Sequence, residues 1–383
     1  MKNAALLPGH ATRAATADYV GTFGADLADG HYSDFLNLHL QLSSLGLGTF
    51  PGAANDAVDE NYAGIVQRAL VSGINVIDTA VHYRYGRSMR AAGEGLRRAF
   101  AAGVAREQVY VVSKGGFLCF ADGVPADLEA WFESHIAHKG LGRRDDLTDV
   151  HLLSAGYIAR QIEDARAALG LETLDAFLVD QPEVHIPRIG KEQVNRKLQS
   201  VFAVLEQAVK ENKIRCYGIS TFNGFRVGTD DALFQSLPAL LGLAESAAQL
   251  VHQDGRAKHN FRLVQLPFNH AMAEGFTRFS QATGHGNVAS TIQAAFQLKV
   301  YVMASHTLGK GRLAAHDGDA IGNALPQLAN GAQRALQFSR STPGLGTALA
   351  GISTPAHLDD LLAVAGVPPM LKADYLKLYR RVE

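Results

Sequence analysis

Cysteine, net charge and long apolar runs are all scarce in this 383-residue chain. Its two cysteines, Cys119 and Cys216, cannot build a disulfide framework, and Cys216 lies in an apolar run typical of a buried small hydrophobe. With 36 Lys+Arg against 37 Asp+Glu, charge gives no reason to expect nucleic acid or an anionic membrane as a partner. No run approaches 18 apolar residues, so no bilayer-spanning helix is predicted.

The first twenty residues, MKNAALLPGHATRAATADYV, lack a compact apolar segment before a small-residue cleavage site. No secretory signal is therefore predicted, and the few cysteines favour a reducing, cytoplasmic setting. We expect a small-molecule substrate and neither a nucleic-acid nor a membrane partner. Nothing in the sequence indicates an oligomeric state.

Short β-rich runs alternate with helical patterns from about residue 41 to the end. Eight nearly continuous apolar runs, typical of strands covered on both faces, lie at 42–50, 74–80, 109–115, 174–182, 214–221, 261–269, 300–306 and 347–354. Helical patterns lie between and after them, at 61–72, 88–102, 157–169, 194–212, 288–298, 328–340 and 357–364. Eight strands, each followed by a helix or a helix-length connection, predict an α/β fold, a (β/α)8 TIM barrel. A dinucleotide-binding open sheet is less favoured, because no G-x-G-x-x-G follows the first strand.

Some segments fall outside this repeat. Residues 1–40 are interpreted as an N-terminal extension, a lid or a cap on the barrel floor, and 41–383 as the barrel. The connections at 116–156 and 225–258 are unusually long. The first of them is a βα-loop insertion, and such loops line the catalytic face of a barrel of this kind.

Four polar side chains stand at or just after the ends of predicted strands: Asp78, Tyr83, Lys114 and Asp180. Adjacent strands are about 4.8 Å apart, so these side chains can converge on one pocket. A strand-end aspartate is often only a cap, and a loop tyrosine is often only surface. A lysine that ends a buried strand, however, needs a partner, and Asp78 is the natural one. The chemistry predicted is carbonyl reduction, with Tyr83 as proton donor, Lys114 lowering the tyrosine pKa and Asp78 holding the lysine.

Together with further motifs, these residues resemble the aldo-keto reductase family over roughly residues 40–365. The resemblance is carried by GLGTF, INVIDTA-x-x-Y with the following YGRS, VVSKGG, LGLETLDAFLVDQPE, LEQAVKENKIRCYGIST, VQLPFN and STPGLGTALAGIST. It implies an NADP(H)-dependent oxidoreductase that reduces a carbonyl or a conjugated enone. The family tetrad is Asp, Tyr, Lys and His, and Asp78, Tyr83 and Lys114 match its first three members.

The resemblance also implies residues that hold the cofactor. Ser220 and Gln265 match positions that bind the nicotinamide carboxamide, and Asn223 is a looser candidate for the same task. Arg340 and Ser353 are candidate contacts for the cofactor phosphate. Other cofactor positions depart from the family pattern: the strand-seven run lacks the stacking aromatic, and Asp360-Leu361 replaces the Glu-Asn pair that contacts adenine.

The fourth tetrad position is the largest departure, because Asp180 stands where the family has histidine. An ionised Asp180 would repel a developing alkoxide, whereas a protonated one could donate a hydrogen bond to the substrate oxygen. This substitution keeps two alternatives open: a redox-neutral lyase, isomerase or cyclase using Asp180 and Tyr83, and a non-catalytic binding barrel. Candidate replacements for the lost imidazole are His82, His151 and His185. His151 is favoured, because His82 would point away from Tyr83 in an extended loop.

Metal and hydrolase chemistry are weakly supported by the sequence. The HIAH run at 135–138 has two histidines three apart, but neither HExxH nor CxxC accompanies it. No G-x-S-x-G serine elbow is present. We therefore predict no metal site and no serine hydrolase.

Overall fold

Eight parallel strands close into a barrel in the computed structural model, which confirms the predicted fold class. The structure describes residues 5–34, 38–121, 123–252, 258–284, 286–315, 325 and 327–379. The barrel strands are β1 (Leu45–Gly48), β2 (Val76–Asp78), β3 (Tyr110–Gly115), β4 (Leu174–Asp180), β5 (Ile214–Ser220), β6 (Phe261–Pro267), β7 (Tyr301–Ser305) and β8 (Thr347–Gly351). Each lies within one of the eight predicted runs. Each pairs with its neighbours in chain order, and β8 returns to pair with β1.

One helix of the outer ring follows each strand. These helices are α1 (Asp56–Val71), α2 (Arg87–Ala101), α3 (Ala155–Leu169), α4 (Lys191–Lys210), α5 (Leu237–His252), α6 (Thr291–Gln297), α7 (Gly331–Arg340) and α8 (Pro355–Ala365). Seven were predicted from periodicity. The eighth, α5, lies in the long connection at 225–258, of which residues 253–257 are outside the described residues.

Helix ends follow local chemistry. Asn55 caps α1 by accepting a hydrogen bond from the Val58 amide at 3.0 Å. Asn330 caps α7 in the same way by accepting a hydrogen bond from the Gln333 amide, also at 3.0 Å. Gly170 ends α3 in the left-handed conformation, with φ +72°, as its position predicts. The prediction at 288–298 was partly wrong, because Asn287–Ser290 is a strand of a small hairpin with Phe279–Gly284 and the helix begins at Thr291.

The apolar core lies in two layers, as the continuous strand patterns predict. One layer fills the space between strands and helices; the other fills the barrel interior with Val76, Val112, Leu178, Leu263 and Met303. This packing fixes the strand ends, and polar side chains at those ends therefore have defined positions. Of the helices described, none has the length and apolarity that crossing a bilayer requires.

The described part of the N-terminal extension contacts the floor of the barrel. The Leu7 amide donates to Gly170 O at 2.9 Å, in the loop before β4. A helix at Arg13–Phe23 follows, and its Tyr19 is fully buried. Strands Tyr32–Asp34 and Gln41–Ser43 then form a two-stranded hairpin that leads into β1.

The 116–156 insertion lies on the opposite face. It contains a short helix at Leu128–Phe132, which continues as a π-helical turn at Glu133–Ala137, and a two-stranded hairpin of Leu147–Thr148 with His151–Leu152. Phe117 and His151 form a bridge across it. The insertion therefore returns to the end of β4, where Asp180 stands.

Candidate active site

A buried ion pair lies at the carboxyl ends of β2 and β3. Lys114 Nζ is 2.7 and 2.6 Å from the two carboxylate oxygens of Asp78, and it also donates to Thr79 O at 3.1 Å. Lys114 is 1% exposed and Asp78 4%. In this pair each charge compensates the other, which explains how a lysine can end a buried strand.

Gln265 and Ser220 extend this pair across the barrel mouth. Gln265 Nε2 donates to Asp78 Oδ1 at 2.9 Å, and Ser220 Oγ donates to Gln265 Oε1 at 3.2 Å. The polar network therefore runs from β5 through β6 and β2 to β3. It places both candidate carboxamide-binding residues directly beside the ion pair.

Tyr83 lies in a tight turn between β2 and α2. The turn contains three consecutive left-handed residues: Arg84, Tyr85 and Gly86, with φ of +49°, +59° and +79°. Arg84 anchors it by donating to Ala53 O and to Asp59. The ring centroid of Tyr83 is 5.1 Å from Lys114 Nζ, and the Tyr83 hydroxyl makes no hydrogen bond to any described residue. The hydroxyl is therefore available to a substrate oxygen.

The pKa of Tyr83 is not lowered overall, contrary to the expectation for a tyrosine beside Lys114. Burial raises that pKa well above 10, and the nearby carboxyl groups of Asp180 and Asp78 raise it further. The reason is that the ammonium is already balanced by Asp78, while a phenolate would be desolvated among carboxylates. Tyr83 therefore stays protonated at neutral pH, which is the form that a proton donor needs.

Asp180 ends β4 in a position that favours its neutral form. Burial raises its pKa from 3.8 to about 6, against the opposing effect of Lys114. The side chain is 3% exposed, and its electrostatic interactions with Tyr83, Lys114 and Asp78 place it in the same cluster. The four side chains predicted to converge do so at the barrel mouth.

Two of the candidate replacement histidines belong to a structural chain behind Asp180. His151 Nε2 donates to the Asp180 backbone O at 2.5 Å, its Nδ1 is 2.8 Å from His185 Nε2, and His185 Nδ1 is 2.8 Å from Thr148 Oγ1. Burial lowers the pKa of His151 to about 4, so the ring is neutral and both of its nitrogens are occupied. His151 therefore positions the end of β4 and is not placed to serve substrate. Gly116, at φ +132°, makes room for it, since a Cβ there would collide with the imidazole.

His82, set aside in the sequence on the assumption of an extended loop, lies beside the tyrosine. Its ring centroid is 4.8 Å from that of Tyr83 and 4.8 Å from that of Phe117, because the loop is a turn. Its pKa falls to about 3 through burial and the Lys114 charge, so the ring is neutral. Its buried Nδ1 has no hydrogen-bond partner within the described part of the chain.

Sequence reasoning missed two buried residues of the site. Glu183 Oε1 accepts from the amides of Phe222 and Asn223, its Oε2 has no partner among the described residues, and burial raises its pKa to about 7. Thr221, next to Ser220, has a buried hydroxyl with no partner in the described structure. The position of Thr221 at the end of β5 was a signal that could have identified it as a site residue. Glu183 follows β4, but no motif in the sequence marks it as a site residue.

Arg340 is not where a cofactor contact should be. It ends α7 and donates to Val364 O at 2.8 Å and Val367 O at 2.9 Å, at the end of α8. Barrel helices run opposite to the strands, so both helix ends lie at the floor, away from Tyr83. The expectation that Arg340 contacts the cofactor phosphate was therefore wrong.

The other candidate positions are compatible with a nicotinamide cofactor. The nicotinamide end fits Ser220 and Gln265, with the unpartnered Thr221 hydroxyl beside them. The backbone amide of Asn223 donates a hydrogen bond to Glu183 Oε1. Ser353 stands between β8 and the first turn of α8, where a helix N-terminus favours a phosphate group.

The adenine end departs from the family. Asp360 Oδ1 accepts from Asn330 Nδ2 at 2.8 Å and from Gln333 Nε2 at 2.9 Å, so this carboxylate joins α8 to α7. A carboxylate that already accepts two hydrogen bonds from protein groups is less able to accept one from adenine. Positive charge on this face comes instead from the loop after β7, where Lys310 is exposed.

The structure is thus a (β/α)8 barrel with a buried Lys–Asp pair and an adjacent tyrosine at its mouth. Residues 44–227, just under half of the chain, match the model of the Aldo/keto reductase family. This segment of the chain is therefore similar to the aldo/keto reductase family, and it contains all four of the residues predicted as catalytic.

Two curated relatives share part of the sequence. D-galacturonate reductase of Hypocrea jecorina is 42% identical over 79 residues, 21% of this chain and 23% of its own length. 6-Dehydroglucose reductase of Novosphingobium aromaticivorans is 26% identical over 191 residues, 48% of this chain and 49% of its own. The chain thus spans half or less of either relative.

Solved structures share the fold along nearly the whole chain. An aldo/keto reductase from Klebsiella pneumoniae, in complex with NADP and acetate, superposes with a TM-score of 0.59 at 18% identity, covering 91% of this chain and 94% of that one. The holo form of an aldo-keto reductase from Bacillus halodurans gives 0.58 at 15% identity, covering 91% and 96%. At such identities the likeness concerns the fold.

Proposed function

We propose that the protein is an NADP(H)-dependent oxidoreductase that reduces the carbonyl group, conjugated or not, of a small molecule. The observation that carries this proposal is the buried Asp78–Lys114 pair with the unengaged Tyr83 hydroxyl beside it. The family match and the two relatives named as reductases support it. So does the NADP in the Klebsiella structure, together with the fit of Ser220 and Gln265.

The cofactor, when bound, supplies a hydride to the carbonyl carbon. Tyr83 donates its phenolic proton to the carbonyl oxygen, so that the C=O double bond becomes CH–OH. Lys114 stabilises the phenolate left on Tyr83, and Asp78 holds the ammonium in place. Asp180, when protonated, donates a hydrogen bond to the same oxygen in the role the family gives to histidine.

The substrate we propose is a polyhydroxylated carbonyl compound, such as an oxidised sugar, as the names of both relatives suggest. The single ammonium of the site is already balanced by Asp78, while Asp180 and Glu183 add two carboxyl groups. A neutral sugar carbonyl suits this charge better than a uronate. Phe50, 56% exposed and 5.0 Å from the Tyr83 ring, offers an apolar wall for a sugar face.

The pH dependence of reduction tests the role given to Asp180. With a pKa raised to about 6, Asp180 loses its proton as pH rises through that value, so turnover is expected to fall above pH 6, approaching tenfold per unit. Burial keeps Tyr83 protonated across this pH range, so Tyr83 adds no pH dependence of its own to the turnover. Asp180→Asn, which donates at every pH, is expected to flatten the profile. The measurement is NADPH consumption from pH 5 to 9 with neutral and uronate sugar aldehydes; an Asp180→Asn profile identical to the parent's would contradict this role.

A redox-neutral reaction is the second candidate. It is favoured by the near-neutral pKa of Asp180, which suits a base as well as an acid, and by the floor position of Arg340. In such a reaction Asp180 would remove a proton and Tyr83 would deliver one. Substrate would then be converted in the absence of any nicotinamide, whereas the reductase converts none without it.

A further inference from the structure

A second pocket lies at the opposite end of the barrel from the candidate active site. It is enclosed by the N-terminal extension and by the first residues of β3 to β6, and its lining consists of His10, Ala11, Leu38, Leu40, Tyr110, Asp175, Arg215, Cys216 and Arg262. None of these residues takes part in the chemistry proposed above.

The carboxylate of this pocket is held from behind by an ion pair and two backbone amides. Asp175 accepts from Arg106 Nη2 at 2.8 Å, from the Val111 amide at 2.8 Å and from the Ala11 amide at 2.6 Å. Both members of the Arg106–Asp175 pair have side chains only 2% exposed. Arg106 therefore compensates Asp175 from behind, although the carboxylate still acts on His10 and Cys216 in the lining.

Arg215 and Arg262 supply two guanidinium groups to this pocket. Arg262 donates to the adjacent Phe261 O at 3.0 Å and Arg215 to Asn212 Oδ1 at 3.3 Å, and neither forms a salt bridge to a described residue. Both favour the thiolate of Cys216 at the back of the pocket, although burial raises the pKa of that thiol to about 11. With Asp175 paired to Arg106, the lining therefore has two further cations and no further carboxylate.

Apart from His10, the remaining wall is apolar. Leu40 is 7% exposed and Ala11 9%, and both belong to the extension, while Tyr110 comes from β3. Leu38 packs against the same cluster. A pocket with two further cations and an apolar wall suits a molecule with an anionic head and a hydrocarbon part.

We infer that this pocket binds an amphiphilic organic anion, with its carboxylate or phosphate between Arg215 and Arg262 and its apolar part against Leu38 and Leu40. The ligand contacts both the extension and the barrel strands, so it joins the two. Binding there is expected to stabilise the folded chain by an amount that rises with the logarithm of ligand concentration once that concentration exceeds Kd.

Calorimetric titration of the full chain tests this inference. The probes are sodium octanoate, inorganic phosphate and octylammonium chloride, at about 20 mM ionic strength to limit screening. Octanoate is expected to bind and to raise Tm, phosphate to bind more weakly, and octylammonium not to bind. Arg215→Gln/Arg262→Gln is expected to weaken octanoate at least tenfold. Arg143→Gln/Arg278→Gln, which removes two exposed arginines elsewhere, is expected to leave it unchanged.

A second variant separates the apolar half of the inference from the charged half. Leu38→Gln keeps both cations, so it is expected to weaken octanoate several-fold and to leave phosphate as in the parent. Circular dichroism and the NADPH titration confirm that each variant is folded. The inference is overturned if octanoate gives no heat with the parent chain, or if the Arg215/Arg262 variant binds it as tightly as the Arg143/Arg278 control.

Discussion

Tyr83→Phe is expected to lower kcat/KM for carbonyl reduction by about 100- to 10,000-fold, the usual contribution of a positioned proton donor. The substitution removes one oxygen atom that makes no hydrogen bond to any described residue, so no buried group loses a partner. Stability and NADPH affinity should therefore stay close to those of the parent, which assigns the loss to the proton-transfer step.

Tyr85→Phe is the matched control for this experiment. Tyr85 lies two residues further along the same turn and is 40% exposed. It should retain full activity. If Tyr83→Phe and Tyr85→Phe reduce the carbonyl equally well, Tyr83 is not the proton donor.

Lys114→Met has the second largest expected effect, and it should appear in both activity and stability. Turnover is expected to fall by more than about 100-fold, because the phenolate of Tyr83 loses the ammonium that stabilises it. The free energy of unfolding is expected to fall by about 3–5 kcal/mol, because Asp78 is left buried without its counter-charge.

A double variant separates these two consequences. Asp78→Asn/Lys114→Met has no buried charge at this position, so urea unfolding should show much of the lost stability restored, whereas turnover should stay low. Recovery of turnover together with stability would show that Lys114 acts only as a structural partner. Near-normal turnover in the single variant would remove it from the mechanism altogether.

The barrel could be predicted from the sequence because its strands are short, nearly continuous apolar runs. The helices between them instead show apolar residues at helical spacing. The runs at 174–182 and 214–221, for example, contain β4 and β5 almost to the residue. Helix α5 was missed, since LPALLGLAESAAQLVH is apolar on too many sides to show one clear stripe. The small hairpin before α6 was missed because its strands carry few buried side chains.

The ion pair was predictable for a physical reason. A lysine that ends a buried strand requires a carboxylate, and Asp78 was the one at the neighbouring strand end. Side chains outside the strand ends were less accessible to such reasoning. Arg340 was expected at the cofactor from the resemblance alone, whereas a residue that ends α7 lies at the floor. The positions expected for His82 and His151 relative to the substrate were reversed. His82 lies beside Tyr83 because the turn at 81–86 is tight, and contacts of Arg84 with Ala53 and Asp59 hold that turn.

Fluorescence titration of the purified chain with NADPH and NADH tests the central proposal most directly. Micromolar binding of NADPH, weakened by Gln265→Ala, is the result expected from a site that holds the nicotinamide beside Ser220 and the Asp78–Lys114 pair. NADH is expected to bind more weakly. Absence of binding by either nucleotide would contradict hydride transfer and leave the redox-neutral reaction of Asp180 and Tyr83 as the function to pursue.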